Sequence, residues 1–296
     1  MLIDVHAASV SFMDCLMVSG KYQMKPATPF VPGTDAAGIV RAVGPGVTGF
    51  EPGDRVACSH WTGAYAEVMS APDSKAVHIP EGVDFDTAST VLHTYKTALY
   101  ALECRAAVRP GETVFVTGAA GGVGLSAVDF ARYLGARVIA GVGSDGKVEL
   151  VKRYGATAVV NYRAEPLRDR IKALTDGKGV DVCFDNVGGD VFTEMTRLMN
   201  WGGRLMPIGF ASGEISSVPM NLPLLKNYSI VGVVAGAWSE KFPIESATAS
   251  ERLMQLVATK ALNPHVDRVF PLDGVTDAMT SVANRAALGR LVLRTR

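Results

Sequence analysis

The chain has 296 residues, enough for one large domain or two ordinary ones, each with its own core. Its 29 Lys and Arg balance 29 Asp and Glu, so it lacks the basic excess that a nucleic-acid surface needs. Cys15, Cys58, Cys104 and Cys183 lie far apart with no C-x-x-C pair, which argues against a disulfide framework and fits a reducing compartment.

The first twenty residues carry Asp4 and Asp14 and no basic stretch ahead of an apolar run, so they do not read as a signal peptide. The apolar run near Ile230 is too short to span a bilayer. The expectation is a soluble, cytoplasmic protein.

In chain order, roughly the first ninety residues read as β-rich. Short apolar runs ("MLIDVHAASV", "AAGIVRAVG", "DRVACS", "YAEVMSA", "AVHIP") alternate with Pro/Gly turns, a spacing that suggests a small barrel or curled sheet. From Glu112 the texture becomes strand, helix, strand, helix: "TVFVTG", "GLSAVDFARYLG", "RVIAGV", "KVELVKRYG", "AVVNY", "PLRDRIKALT", "VDVCFDNV", "DVFTEMTRLMNWGG", "RLMPIGF". Continuous apolar strands between amphipathic helices predict a parallel sheet covered on both faces. "YSIVGVV" adds a sixth strand, whose apolar edge makes an edge-to-edge homodimer the default expectation. The tail reads as helix, strand, helix, strand.

The loop "GAAGGVG" follows a strand and opens a helix, the setting of a dinucleotide fingerprint. Ala119 and Ala120 suit the tight turn. Gly121 lets backbone amides approach a pyrophosphate, and Gly124 lets the helix pack on the sheet; Gly122 and Val123 lie between them. Leu125, Val128, Ala131 and Leu134 are spaced to face the sheet. In the NAD version of this fold, the second strand ends in an acid that takes the ribose hydroxyls. Here that place falls on Gly143, which leaves room for the 2′-phosphate of NADPH, with Ser144 and Lys147 as donors and Tyr162 against the adenosine end. Asp145 is read as a cap for the helix near Lys147, its alternative being a displaced ribose acid.

"VPGTDAAGIVRAVGPGVTGFEPGDRV", "GAYAEVM", "RPGETVFVTGAAGGVGLSAVDFARYLGARVIA", "GKGVDVCFDNVGG" and "WGGRLMPIGFASGE" together resemble the medium-chain dehydrogenase/reductase superfamily, and within it the zinc-free quinone oxidoreductase branch. The resemblance covers essentially the whole chain. It implies an α/β architecture: a Rossmann doubly wound parallel sheet in residues 93–240, and a GroES-like β-rich domain formed by residues 1–92 and 241–296. The family begins with further residues forming a first strand, so exposed pairing groups and reduced stability are expected here.

Zinc alcohol dehydrogenases of the superfamily carry a Cys where this chain has Val10–Ser11, and Gly-His-Glu where it has Gly33-Thr34-Asp35. No four-Cys lobe follows Val83, and the Cys58-x-His60 pair is not a site by itself, so no metal is expected. His6, His78, His93 and His265 read as ordinary polar or packed residues. Without a Lewis acid, hydride delivery to an already polarised acceptor is the accessible chemistry.

The resemblance places substrate contacts in "SVSFMDCLMVSGKY". Ser11 and Asp14 stand for the family's Asn-x-x-Asp, Asp14 having a second reading as a loop tie. Tyr22 matches a tyrosine of related enoyl-thioester reductases, either a proton donor or an aromatic wall. Thr97 matches a threonine near the nicotinamide; Val187, Gly188, Gly209 and Phe210 lie past strands four and five, where the carboxamide would be held, although Phe210 also reads as core. Arg290 is held near the cofactor by the same analogy. The implied activity is NADPH-dependent reduction of a quinone or activated alkene. Its rival is an enoyl-thioester reductase, for which Lys21, Lys25 and Lys226 are available, and a non-catalytic NADPH-binding sensor is the reading from another class.

Overall fold

The computed structural model describes residues 1–295 of the chain. Two compact units emerge, one from Met1–Lys96 together with the segment starting at Trp238, the other from Thr97–Ala237. The joints were expected at 92/93 and 240/241. Both expected and observed positions at the first joint fall inside the helix Val91–Leu99, where composition gives no signal to separate them.

The first unit opens with β1 (Leu2–Val10), β2 (Asp35–Ala42), β3 (Arg55–Ser59), β4 (Val68–Ser70) and β5 (Ala76–His78). β1 runs antiparallel to β2, from Leu2 opposite Ala42 to Ser9 opposite Asp35, with a bulge between Val5 and Ala7. A Cβ at Gly38 would lie 1.9 Å from the Asp4 carbonyl oxygen, so the close approach at this bulge requires glycine. Inward residues such as Ile3, Val5, Val40 and Val56 form the core of this unit.

The second unit contains β6 (Thr113–Val116), β7 (Arg137–Val142), β8 (Ala158–Asn161), β9 (Val180–Asp185), β10 (Met199–Pro207) and β11 (Ser229–Ile230). All pair in parallel, in the order β11-β10-β9-β6-β7-β8. This is the doubly wound order, with its switch point between β6 and β9. β6, β7 and β9 are buried as near-continuous runs, and the helix Gly122–Tyr133 is buried from Gly124 through Ala131, with Leu134 half-buried beyond its end. Two expected extents change. The helix written from Asp190 to Gly203 ends at Met195, because β10 starts at Met199 and is broken in register before Arg204, where Gly202 takes φ +72°. The seven-residue sixth strand shrinks to Ser229–Ile230; its exposed continuation leaves the sheet after one further backbone bond, Val231 N to Leu205 O.

β12 (Val266–Pro271) and β13 (Arg290–Arg294) complete the first sheet, in the order β12-β13-β1-β2-β3-β5, with β4 also on β1. β1 therefore has β2 on one flank and β4 followed by β13 on the other. The pairing groups expected to be exposed at the front of the chain are occupied along β1.

Candidate functional site

In the second unit, β6 ends at Val116 and the chain turns through Thr117–Ala120. Gly118 takes φ +58°, a conformation that favours glycine, and its Cβ position would lie 3.2 Å from Val187 Cγ2. The loops after β6 and β9 thus touch at the switch point. Ala119 and Ala120 are buried in the turn. Gly121 is the helix N-cap, extended at φ −82°, and no side chain caps the Gly122–Tyr133 helix, so the first-turn amides around Gly122, Val123 and Gly124 form a bare anion site.

The two key glycines do different work. A Cβ at Gly124 would lie 2.2 Å from the Gly118 carbonyl oxygen and 3.0 Å from Ala119 Cα, so packing of helix on loop forbids any side chain. A Cβ at Gly121 would meet nothing nearer than Gly118 O at 3.5 Å, an ordinary contact. The protein's own atoms do not require glycine at 121. A ligand against the loop would.

A hydrogen-bond network that sequence reading missed holds this loop to its neighbour. Thr117 Oγ1 donates to Asp185 Oδ1 at 2.6 Å and accepts from Asn186 N; Asn186 Nδ2 donates to Thr117 O, and Gly188 N donates to Asp185 Oδ2 at 2.8 Å. Burial raises the Asp185 pKa, while the bonds from Thr117 and the backbone oppose the rise. The only available signal was a polar pair, Thr117 and Asp185, at the ends of two apolar strands. Backbone bonds from Ala211 to Asn186 and from Ser212 to Val187 join the loops after β9 and β10. Gly188 takes φ +72°, and its Cβ position would lie 3.0 Å from Phe210 Cδ1. Phe210 is 41% exposed, so its reading as core is corrected: the ring covers Gly188 from the solvent side. Gly209 lies against Asn186 O.

Gly143, Ser144 and Lys147 follow β7, and Tyr162 follows β8. Ser144 is exposed and Tyr162 half-buried, and a Cβ at Gly143 would lie 3.6 Å from the Tyr162 hydroxyl. Asp145 does not cap a helix. Asn161 Nδ2 donates to its Oδ1 at 2.7 Å, and the helix Val148–Arg153 has no side-chain cap. A buried-end asparagine offering a donor outcompetes the solvated helix terminus.

In the first unit, Ser11 caps the helix Phe12–Val18 in a capping box. Asp14 N donates to Ser11 Oγ, while Ser11 N and Oγ donate to Asp14 Oδ2 at 2.8 and 2.5 Å. Tyr65, absent from the sequence-based set, adds a third donor to the same oxygen at 2.9 Å. Gly33 makes room for it: a Cβ there would lie 2.3 Å from the Tyr65 ring. Both Ser11 and Asp14 are buried, so their expected catalytic role gives way to the loop tie. Burial raises the Asp14 pKa against the opposing hydrogen bonds and Arg290. Tyr22 follows the helix, half-buried; burial pushes its phenol up, so it stays protonated at neutral pH.

Arg290 on β13 is buried too. Its Nη2 donates to Ser9 Oγ at 2.6 Å on β1 and to Asp35 Oδ2 at 2.8 Å on β2, a pair spanning three adjacent strands. The cofactor contact expected of it is replaced by this buried pair. Asp35 Oδ1 and Arg290 Nε have no partner among the described residues. Burial pulls Lys96 down to about 8 and His93 to about 4, so His93 is neutral. Thr97 lies half-buried in the same helix. Cys58 is buried with its thiol pushed up to about 12, and among the described residues no group of three or more His, Cys, Asp or Glu is placed to hold a metal ion. No helix of the described residues is long and apolar enough to cross a membrane.

Two family models match: the alcohol dehydrogenase GroES-like domain over residues 1–81, and the zinc-binding dehydrogenase family over residues 122–251. Together with the doubly wound sheet and its glycine loop, they define an oxidoreductase built from a GroES-like and a Rossmann unit. Quinone oxidoreductase-like protein 2 of Mus musculus is 41% identical over 293 residues, covering 98% of this chain and 83% of that protein. The Homo sapiens quinone oxidoreductase is 33% identical over 99% of this chain and 88% of that protein. The crystal structure of the Escherichia coli quinone oxidoreductase complexed with NADPH superposes with a TM-score of 0.92 at 31% identity, over 99% of this chain and 90% of that one. The chain belongs to the medium-chain dehydrogenase/reductase superfamily, in its quinone oxidoreductase branch.

Proposed function

We propose that the protein is an NADPH-dependent reductase that transfers hydride to a quinone or a comparably polarised double bond without a metal ion. The observation that carries this reading is Gly121, bare at the mouth of an uncapped helix where the chain itself has room for a side chain. The cradle fits a pyrophosphate, and Gly143, in the ribose-acid position, fits a 2′-phosphate. NADPH in the Escherichia coli relative supports the same choice.

The amides of Gly121–Gly124 would hold the pyrophosphate; Ser144 and Lys147 would take the 2′-phosphate with Tyr162 against the adenosine end, and Val187, Gly188, Gly209 and Phe210 the carboxamide. The bound cofactor supplies a hydride, two electrons and a proton nucleus, to the acceptor. Reduction of a quinone to a hydroquinone needs one further proton, and we assign Tyr22 as its donor, because its raised pKa keeps the phenol protonated and a neutral O–H can hand a proton to a developing oxyanion. Ser11 and Asp14 hold the preceding helix in place. We further propose an edge-to-edge homodimer through β11, supported by exposed Ile215, Met220, Leu224, Leu225 and Ile230 on one unit.

Purified protein mixed with NADPH tests the reading by loss of the nicotinamide absorbance. Oxidation with quinones supports it. Oxidation confined to enoyl-CoA esters replaces quinone with the thioester reading, and tight binding with no turnover on any acceptor leaves a sensor.

A further inference from the structure

The end of β8 carries a cation that none of the expected cofactor contacts includes. A Cβ built at Gly143 would lie 3.6 Å from Arg163 Nε and 3.7 Å from Arg163 Cδ, beside the Tyr162 hydroxyl at 3.6 Å. Arg163 thus folds back from the loop after β8 to lie over the bare end of β7. Its side chain is exposed, and neither Asp145 nor Glu165 pairs with it. Asp145 accepts from Asn161 Nδ2, and Glu165 pairs with Arg170 at 2.9 Å while its other oxygen accepts from Asn161 N. Among the described residues the Arg163 guanidinium has no hydrogen bond or ion pair.

We infer that Arg163, kept open by the missing side chain at Gly143, is the residue that discriminates 2′-phosphorylated from unphosphorylated dinucleotides. The inference rests on the reading of the glycine loop as an NADPH site and names the determinant of its selectivity. A guanidinium matches a phosphate with two parallel N–H donors, which an ammonium such as that of Lys147 does not. Gly143 is the other half of the device. A carboxylate there would both repel the 2′-phosphate and neutralise Arg163 by pairing with it.

The test titrates NADPH and NADH into wild type, Arg163→Ala, Arg163→Lys and Gly143→Asp, following nicotinamide fluorescence at two salt concentrations. Arg163→Ala should weaken NADPH by about ten- to a hundredfold, the loss of a charged hydrogen-bonding partner, while NADH changes by less than about twofold. Arg163→Lys should recover part of the loss, and Gly143→Asp should favour NADH. The salt dependence of NADPH binding should flatten in Arg163→Ala. An unchanged thermal midpoint is expected, because the side chain is exposed. Equal losses for both nucleotides, or no loss for either, overturn the inference while quinone-dependent NADPH oxidation by wild type leaves the functional reading standing. Wild type that binds neither nucleotide, or prefers NADH, overturns both.

Discussion

Replacing Gly121 and Gly124 separately by alanine distinguishes a glycine that serves a ligand from one that serves packing. At position 124 the new methyl would lie 2.2 Å from the Gly118 oxygen and 2.8 Å from the Gly118 carbonyl carbon, both backbone atoms. Carbon and carbonyl oxygen rest at about 3.3 Å or more, so helix or loop must retreat by about 1 Å. The helix is buried from Gly124 to Ala131, and no flexible side chain can absorb the shift. Overpacking of this kind costs up to about 3 kcal/mol, and alanine returns about 1 kcal/mol in helix propensity, leaving a net loss near 2 kcal/mol. In a chain of this size that lowers the thermal midpoint by roughly 3 °C. At position 121 the backbone is already extended and the nearest atom is 3.5 Å away, so stability should stay within about 1 kcal/mol of wild type. NADPH affinity should nevertheless fall about tenfold or more, because the methyl occupies the space the pyrophosphate needs. Calorimetric melting and fluorescence titration of both variants decide the matter. Wild-type affinity in Gly121→Ala would place the diphosphate elsewhere, and wild-type stability in Gly124→Ala would refute the close-contact argument.

Arg290→Met should destabilise by about 3–5 kcal/mol in urea, because it strands Asp35 in the sheet without its partner; adding Asp35→Leu should restore much of that, and strict additivity would show that the pair is not coupled. The neutral His93 predicts a pH effect. Its folded pKa of about 4 lies below the ordinary 6.5, so the unfolded chain takes a proton that the folded chain refuses, and stability is lost as pH falls from 6.5 toward 4. Burial is the main cause, followed by Arg290, with Asp14 opposing and Lys96 adding to the depression. His93→Gln should remove about 2 kcal/mol of that acid-side loss, and parallel pH profiles for the two proteins would count against it. Leu224→Asp with Leu225→Asp should convert a dimer to a monomer in sedimentation equilibrium, the two leucines being 78% and 71% exposed; a sedimenting species of unchanged mass would move the interface elsewhere.

The parallel sheet was legible because its strands carry their own signature. "TVFV", "RVIAGV" and "VDVCFD" each hold a buried apolar run rather than an alternation, as a strand covered on both faces does, and each is followed by a helix-length amphipathic segment. β10 was less legible, since Asn200, Trp201, Gly202 and Gly203 break both the helical and the strand pattern, and tertiary pairing with β9 from Met199 decides the outcome. β11 failed for the opposite reason. "YSIVGVV" has every strand propensity, but its pairing with β10 stops at Ile230, and propensity does not report where a neighbour ends.

The candidate site divides along a related line. Glycines at 121, 124 and 143 are readable because absence of a side chain is itself a geometric statement, fixed to a position in a known strand–turn–helix unit. Polar residues are not readable in that way, since each has several partners it can satisfy. Asp14 found Ser11 in its own turn and Tyr65 fifty-one residues away; Asp145 found Asn161 on the next strand; Arg290 found Ser9 and Asp35 on two strands from the other end of the chain. For the buried Asp14 and Arg290 an unpaired charge is costly, and the fold supplied partners that offset much of that cost. The polar groups left over are therefore the informative ones. Arg163, which pairs with neither Asp145 nor Glu165, and Tyr22, protonated on the half-buried turn after its helix, remain available for binding and chemistry.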